Sequence, residues 1–355
     1  MNRWPAIAPF AAAAILAATL ALPVGAVLGG ACLVALVAAV AAAVHHAEVV
    51  AHRVGEPFGT LVLALAVTAI EVALIVSVML AGGEDKAALA RDTIYATVMI
   101  IGNGVVGLCI LLGALRHRQQ SFRIEGVGPA FAALATLATL VLVMPVFTTS
   151  AQGARYTVPQ LLFVGGSSLL LWLVFVFFQT VRHRDYFLPA AGAADEEAHA
   201  APPSSAQAWA SFALLMVSLV AVVGLAKALS PGIESAVRTA GLPPAVIGIA
   251  IALLVLLPET GAALRAAMAD RLQTSMNLAL GSGLASIGLT IPIVVAVATV
   301  FEIPLVLGLE PKDIVLLALT IGVGTIGVGS GRTNMMQGAV HLLVFAAFLF
   351  LSLVP

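Results

Sequence analysis

Long apolar stretches with at most one charged residue follow one another along this chain of 355 residues. The chain is 61% hydrophobic and only 9% charged, whereas a soluble domain carries roughly 25% charged residues. So few charges cannot cover a water-facing surface of this size, which excludes a soluble enzyme, a nucleic-acid-binding protein and a disordered chain. A formal net charge of −1 implies no polybasic anchor for lipid or DNA.

The apolar stretches are long enough to cross a membrane, because a spanning helix needs about 20 apolar residues. Residues 4–44 are long enough for two spans, with Pro23 and Gly25 where a turn would fall. We therefore predict an all-α polytopic membrane protein with about eleven transmembrane helices; a β-barrel would need alternating polar residues, which are absent. The predicted spans lie at residues 4–44 (two spans), 57–83, 93–115, 126–154, 156–181, 208–226, 239–264, 272–301, 314–331 and 333–355.

The first stretch has an alternative interpretation. Arg3 followed by an apolar run is also typical of a cleaved signal peptide. A second apolar span directly after Pro23 favours a retained helical hairpin.

A polar segment at residues 182–207 divides the predicted spans into six and five. It combines the acidic run 195–197 with Pro202-Pro203-Ser204-Ser205, which is linker composition. If residues 1–23 form an extra N-terminal helix, five spans remain in residues 24–181 and five in residues 208–355. An odd number per half gives the halves opposite orientations, so we predict two inverted five-helix repeats, a layout of secondary transporters.

Two acids occupy matching places in these halves. Glu71 and Glu259 are each the single acid of an apolar span, and each lies in the second helix of its half. A carboxylate at mid-membrane is costly, and such residues usually have a function. The alternative is that a neighbouring helix satisfies each acid and the pair only holds the bundle together. If the acids share one site, we expect their carboxyl groups on the order of 10 Å apart near the midplane.

Buried carboxyl groups suit the exchange of cations against protons. Apolar surroundings favour the neutral acid and a bound cation favours the carboxylate, so the two ligands compete. Ca²⁺ takes about 6–8 oxygen ligands, and Pro258 frees a backbone carbonyl one turn before Glu259. Each further oxygen donor can equally be bonded to its own helix. These further donors are Thr68, Asn103, Thr260, Ser282 and Ser286.

Residues 46–71, HAEVVAHRVGEPFGTLVLALAVTAIE, within an α1 region at 46–81, resemble the first α-repeat of the calcium:cation antiporter superfamily. The resemblance is to its bacterial ChaA-type cation/proton antiporters in particular. Residues 258–265, PETGAALR, with LALGSG at 278–283, resemble the second α-repeat, within an α2 region at 241–292. The segments LGLEP at 307–311 and GRTN at 331–334 fit the same family.

The resemblance implies a secondary active cation/proton antiporter that exports its cation by alternating access. The essential family acids fall on Glu71 and Glu259, and family Asn and Ser positions fall on Asn103 and Ser282. Thr68, which lies three residues before Glu71 and shares its helix face, completes the predicted metal ligands. Ca²⁺ is the first candidate cation, and Na⁺ and K⁺ are further candidates because several family positions differ here. These departures are Val67-Thr68, Val255-Leu256, Ala285 and Gln337.

The predicted antiporter needs no resident cofactor and no nucleic acid. Its ligands are inorganic cations and protons, its surroundings are the lipid of a cytoplasmic membrane, and its oligomeric state is open. A cation channel or passive pore would use the same acids without proton coupling. An intramembrane enzyme would need a nucleophile–base pair or metal triad at depth, and the sequence shows neither.

Other polar residues have simpler interpretations. His45, Glu48 and His52 share a helical face, where interfacial packing is favoured over ion or pH sensing. His341, alone in the last span, is typical of a hydrogen-bonded core histidine. Glu56 suits a helix start. The acidic run 195–197 suits a solvated loop, although a regulatory role stays open. Five glycines crowd the tenth span and indicate close helix packing or an unwound segment.

The orientation of the chain is a testable prediction. With the N-terminus inside, 10 of the 16 Lys and Arg residues lie on the cytoplasmic side and 6 outside, which agrees with the positive-inside rule. The segment 182–207 should therefore be cytoplasmic and the C-terminus external. Cysteine labelling in intact cells tests this; labelling of that segment from outside would reverse the assignment.

Overall fold

A computed structural model describes residues 3–55, 58–80, 87–187 and 203–354. Within these ranges eleven helices are long and apolar enough to cross a membrane, so the prediction of an all-α polytopic membrane protein is confirmed. The helices are α1 Trp4–Ala21, α2 Ala26–Val54, α3 Phe58–Leu80, α4 Leu89–His117, α5 Ile124–Phe147, α6 Val158–Arg182, α7 Ser205–Thr239, α8 Ala245–Met268, α9 Leu272–Val300, α10 Pro311–Ser330 and α11 Met335–Leu353.

Three of these helices contain a π-helical turn, in which the backbone bonds skip one more residue than in an α-helix. The turns are Ile100–Val105 inside α4, Thr139–Val143 inside α5 and Phe178–Arg182 at the end of α6. Such turns are rare and frequently mark functional positions. The turn in α4 contains Asn103.

Helix α7 is much longer than the predicted span at 208–226. It begins at a capping box, in which Ser204 and Gln207 bond to each other's backbone N–H groups. It then continues past Lys227 and Pro231 to Thr239. The predicted span ends before Lys227 because each span was defined as a stretch without charged residues. A charged residue ends only the apolar part of a helix, and the helix itself can continue beyond it.

The described helices group into two compact units. The first comprises residues 1–89 and 196–247, and the second comprises residues 90–195 and 248–355. Each unit takes chain from both sides of the predicted linker at 182–207. The division into residues 1–23, 24–181 and 208–355 stays a prediction, and residues 188–202 of the linker lie outside the described ranges.

In the first unit, buried polar contacts join all four helices. The ring of His46 in α2 is 4% exposed; its Nε2 lies 2.9 Å from the Pro5 carbonyl oxygen of α1, and its Nδ1 lies 3.3 Å from Ser211 Oγ of α7. Ser77 Oγ of α3 donates to the Val223 carbonyl of α7 at 3.2 Å. Polar side chains inside a membrane bundle bond across helices in this way.

In the second unit, charged and phenolic groups gather at the N-terminal ends of α4 and α10. Arg91 Nη2 lies 2.8 Å from Asp92 Oδ1, and Arg91 Nη1 donates to the Gly308 carbonyl at 3.2 Å. Tyr95 Oη donates to the Asp313 carbonyl at 3.3 Å. These contacts hold the start of α4 against the start of α10.

At the other end of the second unit, a short sheet joins two interhelical connections. Strand β1, Gln120–Ser121, pairs antiparallel with β2, Arg332–Thr333. The Gln120 side chain is buried, and its Nε2 donates to the Ala267 carbonyl and to Asp270 Oδ1 at 2.8 and 2.9 Å. The connections after α4, α8 and α10 are therefore bonded together.

Two glycines let α4 and α11 approach each other closely. A Cβ at Gly338 of α11 would lie 2.6 Å from the Leu111 backbone nitrogen of α4 and 2.8 Å from its Cα. A Cβ at Gly107 of α4 would lie 3.0 Å from the Cβ of His341. Small residues at such crossings are typical of membrane helix packing, and this crossing sets the position of His341 beside α4.

We expect Gly338→Ala to destabilise the protein, because the added methyl group meets backbone atoms that cannot rotate away. Gly322→Ala in α10 is the matched control, since no heavy atom lies within 4 Å of its Cβ position. Thermal unfolding of the detergent-purified proteins measures the difference. A lower melting temperature for Gly322→Ala than for Gly338→Ala would contradict this account of the crossing.

Candidate ion-exchange site

Glu71 lies in the apolar interior of α3, within the first unit. Its side chain is buried with an exposure of 3%, and Thr68, one helical turn earlier, is 4% exposed. Residues three apart share a helix face, so the predicted donor Thr68 lies beside the acid. An unbroken apolar helix therefore carries an ionisable group and a hydroxyl together into a buried environment.

Glu259 lies in α8, within the second unit, and is half-buried. Pro258 has no N–H, so the usual helical bond to the Leu254 carbonyl cannot form there. Thr260 Oγ1 donates to the Leu256 carbonyl of its own helix at 2.7 Å. Of the two interpretations for this hydroxyl, bonding to its own helix is the one seen. The approach of Glu259 to Glu71 stays a prediction.

Asn103 is a fully buried amide within the π-helical turn of α4. Its Nδ2 donates to Thr320 Oγ1 of α10 at 2.9 Å, and the Sδ of Met99 lies 3.9 Å from the same nitrogen. Its Oδ1 lies 3.3 Å from Nδ1 of His341 in α11. The predicted oxygen donor is thus the centre of a polar cluster formed by three helices of the second unit.

Ser282 and Ser286 lie one turn apart in α9. Ser282 is half-buried, and Ser286 is 2% exposed. Residues four apart share one face of a helix, so α9 presents two hydroxyl groups in one row. The role predicted for Ser282 as a cation ligand stays a prediction.

A cavity in the second unit adjoins the turn that carries Asn103. It offers about 40 Å³ to the centres of water-sized molecules, and roughly 10–15 Å³ is enough for one water. Its wall is mostly apolar, with three polar side chains. The lining residues are Gly102, Val106, Ile110, Phe122, Val127, Phe131, Met276, Leu280, Gly324, Gly327, Val328, Thr333, Gln337 and His341.

The glycines of α10 form part of this cavity wall. Gly324 packs directly against the Phe131 ring, and a Cβ at Gly327 would lie 3.9 Å from His341 Nε2. Helix α10 is continuous from Pro311 to Ser330. The structure therefore supports close packing at Gly324, whereas no heavy atom of the described residues lies within 4 Å of the Cβ positions of Gly322 and Gly329. The alternative, an unwound segment, is not seen between Pro311 and Ser330.

Sequence reasoning missed Thr320 altogether and gave His341 only a place in the core. His341 is indeed buried and hydrogen-bonded, but its partner is a predicted cation ligand. A single threonine in an apolar span carries no signal that distinguishes it from its neighbours. The lone histidine of the last span, His341, was the one sequence feature that could have indicated a polar cluster there.

The remaining polar residues lie outside these clusters. On α2, His45 is half-buried, and Glu48 and His52 are exposed. Within the described ranges no group of three or more His, Cys, Asp or Glu side chains is arranged to hold a metal ion. Glu56 and the acidic run 195–197 lie outside the described residues.

A buried acid, a half-buried acid and a buried amide on membrane-spanning helices are features of an ion transporter. The family model described as sodium/calcium exchanger protein matches residues 13–181 and 210–354. The putative ionic transporter y4hA of Sinorhizobium fredii is 50% identical over 324 residues, which are 90% of this chain and 87% of that protein. The sodium-potassium/proton antiporter ChaA of Escherichia coli is 34% identical over 319 residues, or 89% and 86% of the two chains.

The fold also has a solved counterpart. The crystal structure of the selenium-substituted Ca²⁺/H⁺ antiporter protein YfkE superposes with a TM-score of 0.73 at 16% identity and covers 100% of both chains. This chain therefore belongs to the sodium/calcium exchanger protein family. The predicted membership of the calcium:cation antiporter superfamily is confirmed, and with it the class of function, a membrane transporter of the cation/proton antiporter type.

Proposed function

We propose that Glu71 and Glu259 are the exchange acids of this antiporter, each alternately holding a proton and contributing to a cation site. The observation that carries the proposal is the burial of Glu71, with 3% exposure, beside Thr68 in an apolar spanning helix. A charged carboxylate in such a place is unfavourable without a counter-ion. Protonation and cation binding are two ways to remove that cost, and they exclude each other.

Oxygen atoms of other side chains complete the proposed set of cation ligands. Besides the two carboxylates, we propose Thr68, Asn103 and Ser282 as neutral ligands. Hard cations such as Ca²⁺ and Na⁺ are bound by carboxylate, amide and hydroxyl oxygens. Alternating exposure of the acids to the two sides of the membrane then couples cation export to proton import.

Relatives of this chain support more than one transported cation. ChaA is a sodium-potassium/proton antiporter and YfkE is a Ca²⁺/H⁺ antiporter. We propose Ca²⁺, Na⁺ and K⁺ as the cations to test side by side. We also place the chain in the cytoplasmic membrane with its N-terminus inside, because the Lys and Arg residues favour that orientation.

The central test replaces each acid by its amide. Glu71→Gln and Glu259→Gln keep the size and hydrogen-bonding capacity of the side chain but remove the charge that titrates. We expect each change to abolish cation-driven proton movement in proteoliposomes while the protein still folds and inserts. Glu302→Gln is the matched control, because this glutamate is exposed in the connection after α9.

The outcomes separate the rival functions. Substantial coupled exchange in either amide variant would mean that the exchange acids are assigned wrongly. Cation flux without proton movement in the wild type would indicate a channel or passive pore that uses the same acids.

The exchange rate should pass through a maximum as pH is varied. At low pH the acids stay protonated and the cation cannot bind, whereas at high pH protons are too scarce to displace the bound cation. We expect a bell-shaped dependence of the initial exchange rate in wild-type proteoliposomes with the same pH on both sides. An exchange rate that does not change with pH would contradict the competition of the cation and the proton for the same carboxyl group.

A further inference from the structure

The Asn103 carboxamide is held in one orientation by its contact with Thr320. The Thr320 hydroxyl has one hydrogen, and its acceptors are the Leu316 carbonyl of α10 at 2.8 Å and, at 3.4 Å, the Sδ of Met99. Toward Asn103 the hydroxyl therefore acts as an acceptor, and only the amide nitrogen can face it, at 2.9 Å. Because the Thr320 hydroxyl donates its hydrogen to Leu316 or Met99, the Asn103 nitrogen faces α10 and the Asn103 oxygen points away from it.

The other side of the carboxamide is its oxygen, which faces His341. Because Oδ1 can only accept, Nδ1 of His341 is the donor across the 3.3 Å separation. An amide oxygen has two lone pairs, so one bond from His341 leaves the other lone pair available to a cation.

We propose that Thr320 and His341 are positioning residues for cation binding, which act by holding Asn103 with its oxygen as the ligand atom. This inference rests on the proposed function, in which Asn103 is a cation ligand. Without Thr320 the carboxamide can rotate about its terminal bond and present its N–H₂ group, whose positive hydrogens repel a cation. The π-helical turn and α10 together thus determine the chemistry that Asn103 offers.

The test compares two threonines of the same helix. Thr320→Val removes the hydroxyl at nearly constant volume. Thr325→Val is the matched control, since Thr325 Oγ1 also donates to the carbonyl four residues earlier, that of Ile321, at 2.7 Å. Thr325 is exposed, so both variants lose the same type of helix bond but only one loses the contact with Asn103.

We expect Thr320→Val to raise the KM for the cation about threefold to tenfold, the range that one buried interhelical hydrogen bond contributes. The maximal rate should change little, because the exchange acids are intact. Thr325→Val should keep the wild-type KM, and Thr320→Ser, which restores the hydroxyl, should recover it. The measurement is proton movement in proteoliposomes of the full chain, driven separately by Na⁺, K⁺ and Ca²⁺.

A double substitution tests whether Thr320 acts through Asn103. In an Asn103→Ala background there is no carboxamide to orient, so Thr320→Val should raise KM no further. For His341, the Asn substitution keeps an N–H donor near the Nδ1 position, and Leu removes it. His341→Leu should therefore raise KM and His341→Asn should stay close to the wild type.

Three results would overturn the inference. These are equal KM values for Thr320→Val and Thr325→Val, an unreduced effect of Thr320→Val in the Asn103→Ala background, and equal effects of the two His341 substitutions. Failure of the proposed function looks different, since Glu71→Gln or Glu259→Gln would then retain cation-driven proton movement, or the wild type would show cation flux without proton movement.

Discussion

Hydrogen bonds that side chains make to neighbouring helices help to specify the packing within each unit of this protein, because the interior of a bilayer has no water to replace a lost partner. Apolar contact alone discriminates poorly between helix arrangements in lipid, whose tails are as apolar as leucine. In the first unit, His46 bonds to α1 and α7 at once. In the second unit, Asn103 bonds to α10 and adjoins α11.

The surroundings of Asn103 depend on two local departures from regular helix packing. The π-helical turn Ile100–Val105 changes the direction of side chains along α4. The crossing at Gly107 and Gly338 brings the backbone of α11 against that of α4 and carries His341 with it. A Cβ at either glycine would crowd the facing helix, so the contact between His341 and Asn103 depends on this close packing.

The spans could be predicted from sequence because bilayer thickness imposes one length and one polarity on every crossing. Helix ends were less predictable, as α7 shows, since a charged residue does not end a helix. Glu71 and Glu259 stand out by charge alone, whereas Asn103 and Ser282 were two of several candidate oxygen donors, and only the family resemblance singled them out. Thr320 could not be found, because the partner of a hydroxyl depends on which distant helix packs beside it.

The pairing of Gln120–Ser121 with Arg332–Thr333 has a practical consequence for experiments on this protein. In a hydropathy plot, the connections at 118–123 and 331–334 look like ordinary loops suited to an epitope tag or a fluorescent protein. An inserted domain there would break the ladder and expose the buried Gln120 side chain. Insertions succeed where backbone groups are solvated and unbonded, so fusion partners belong at positions away from this ladder.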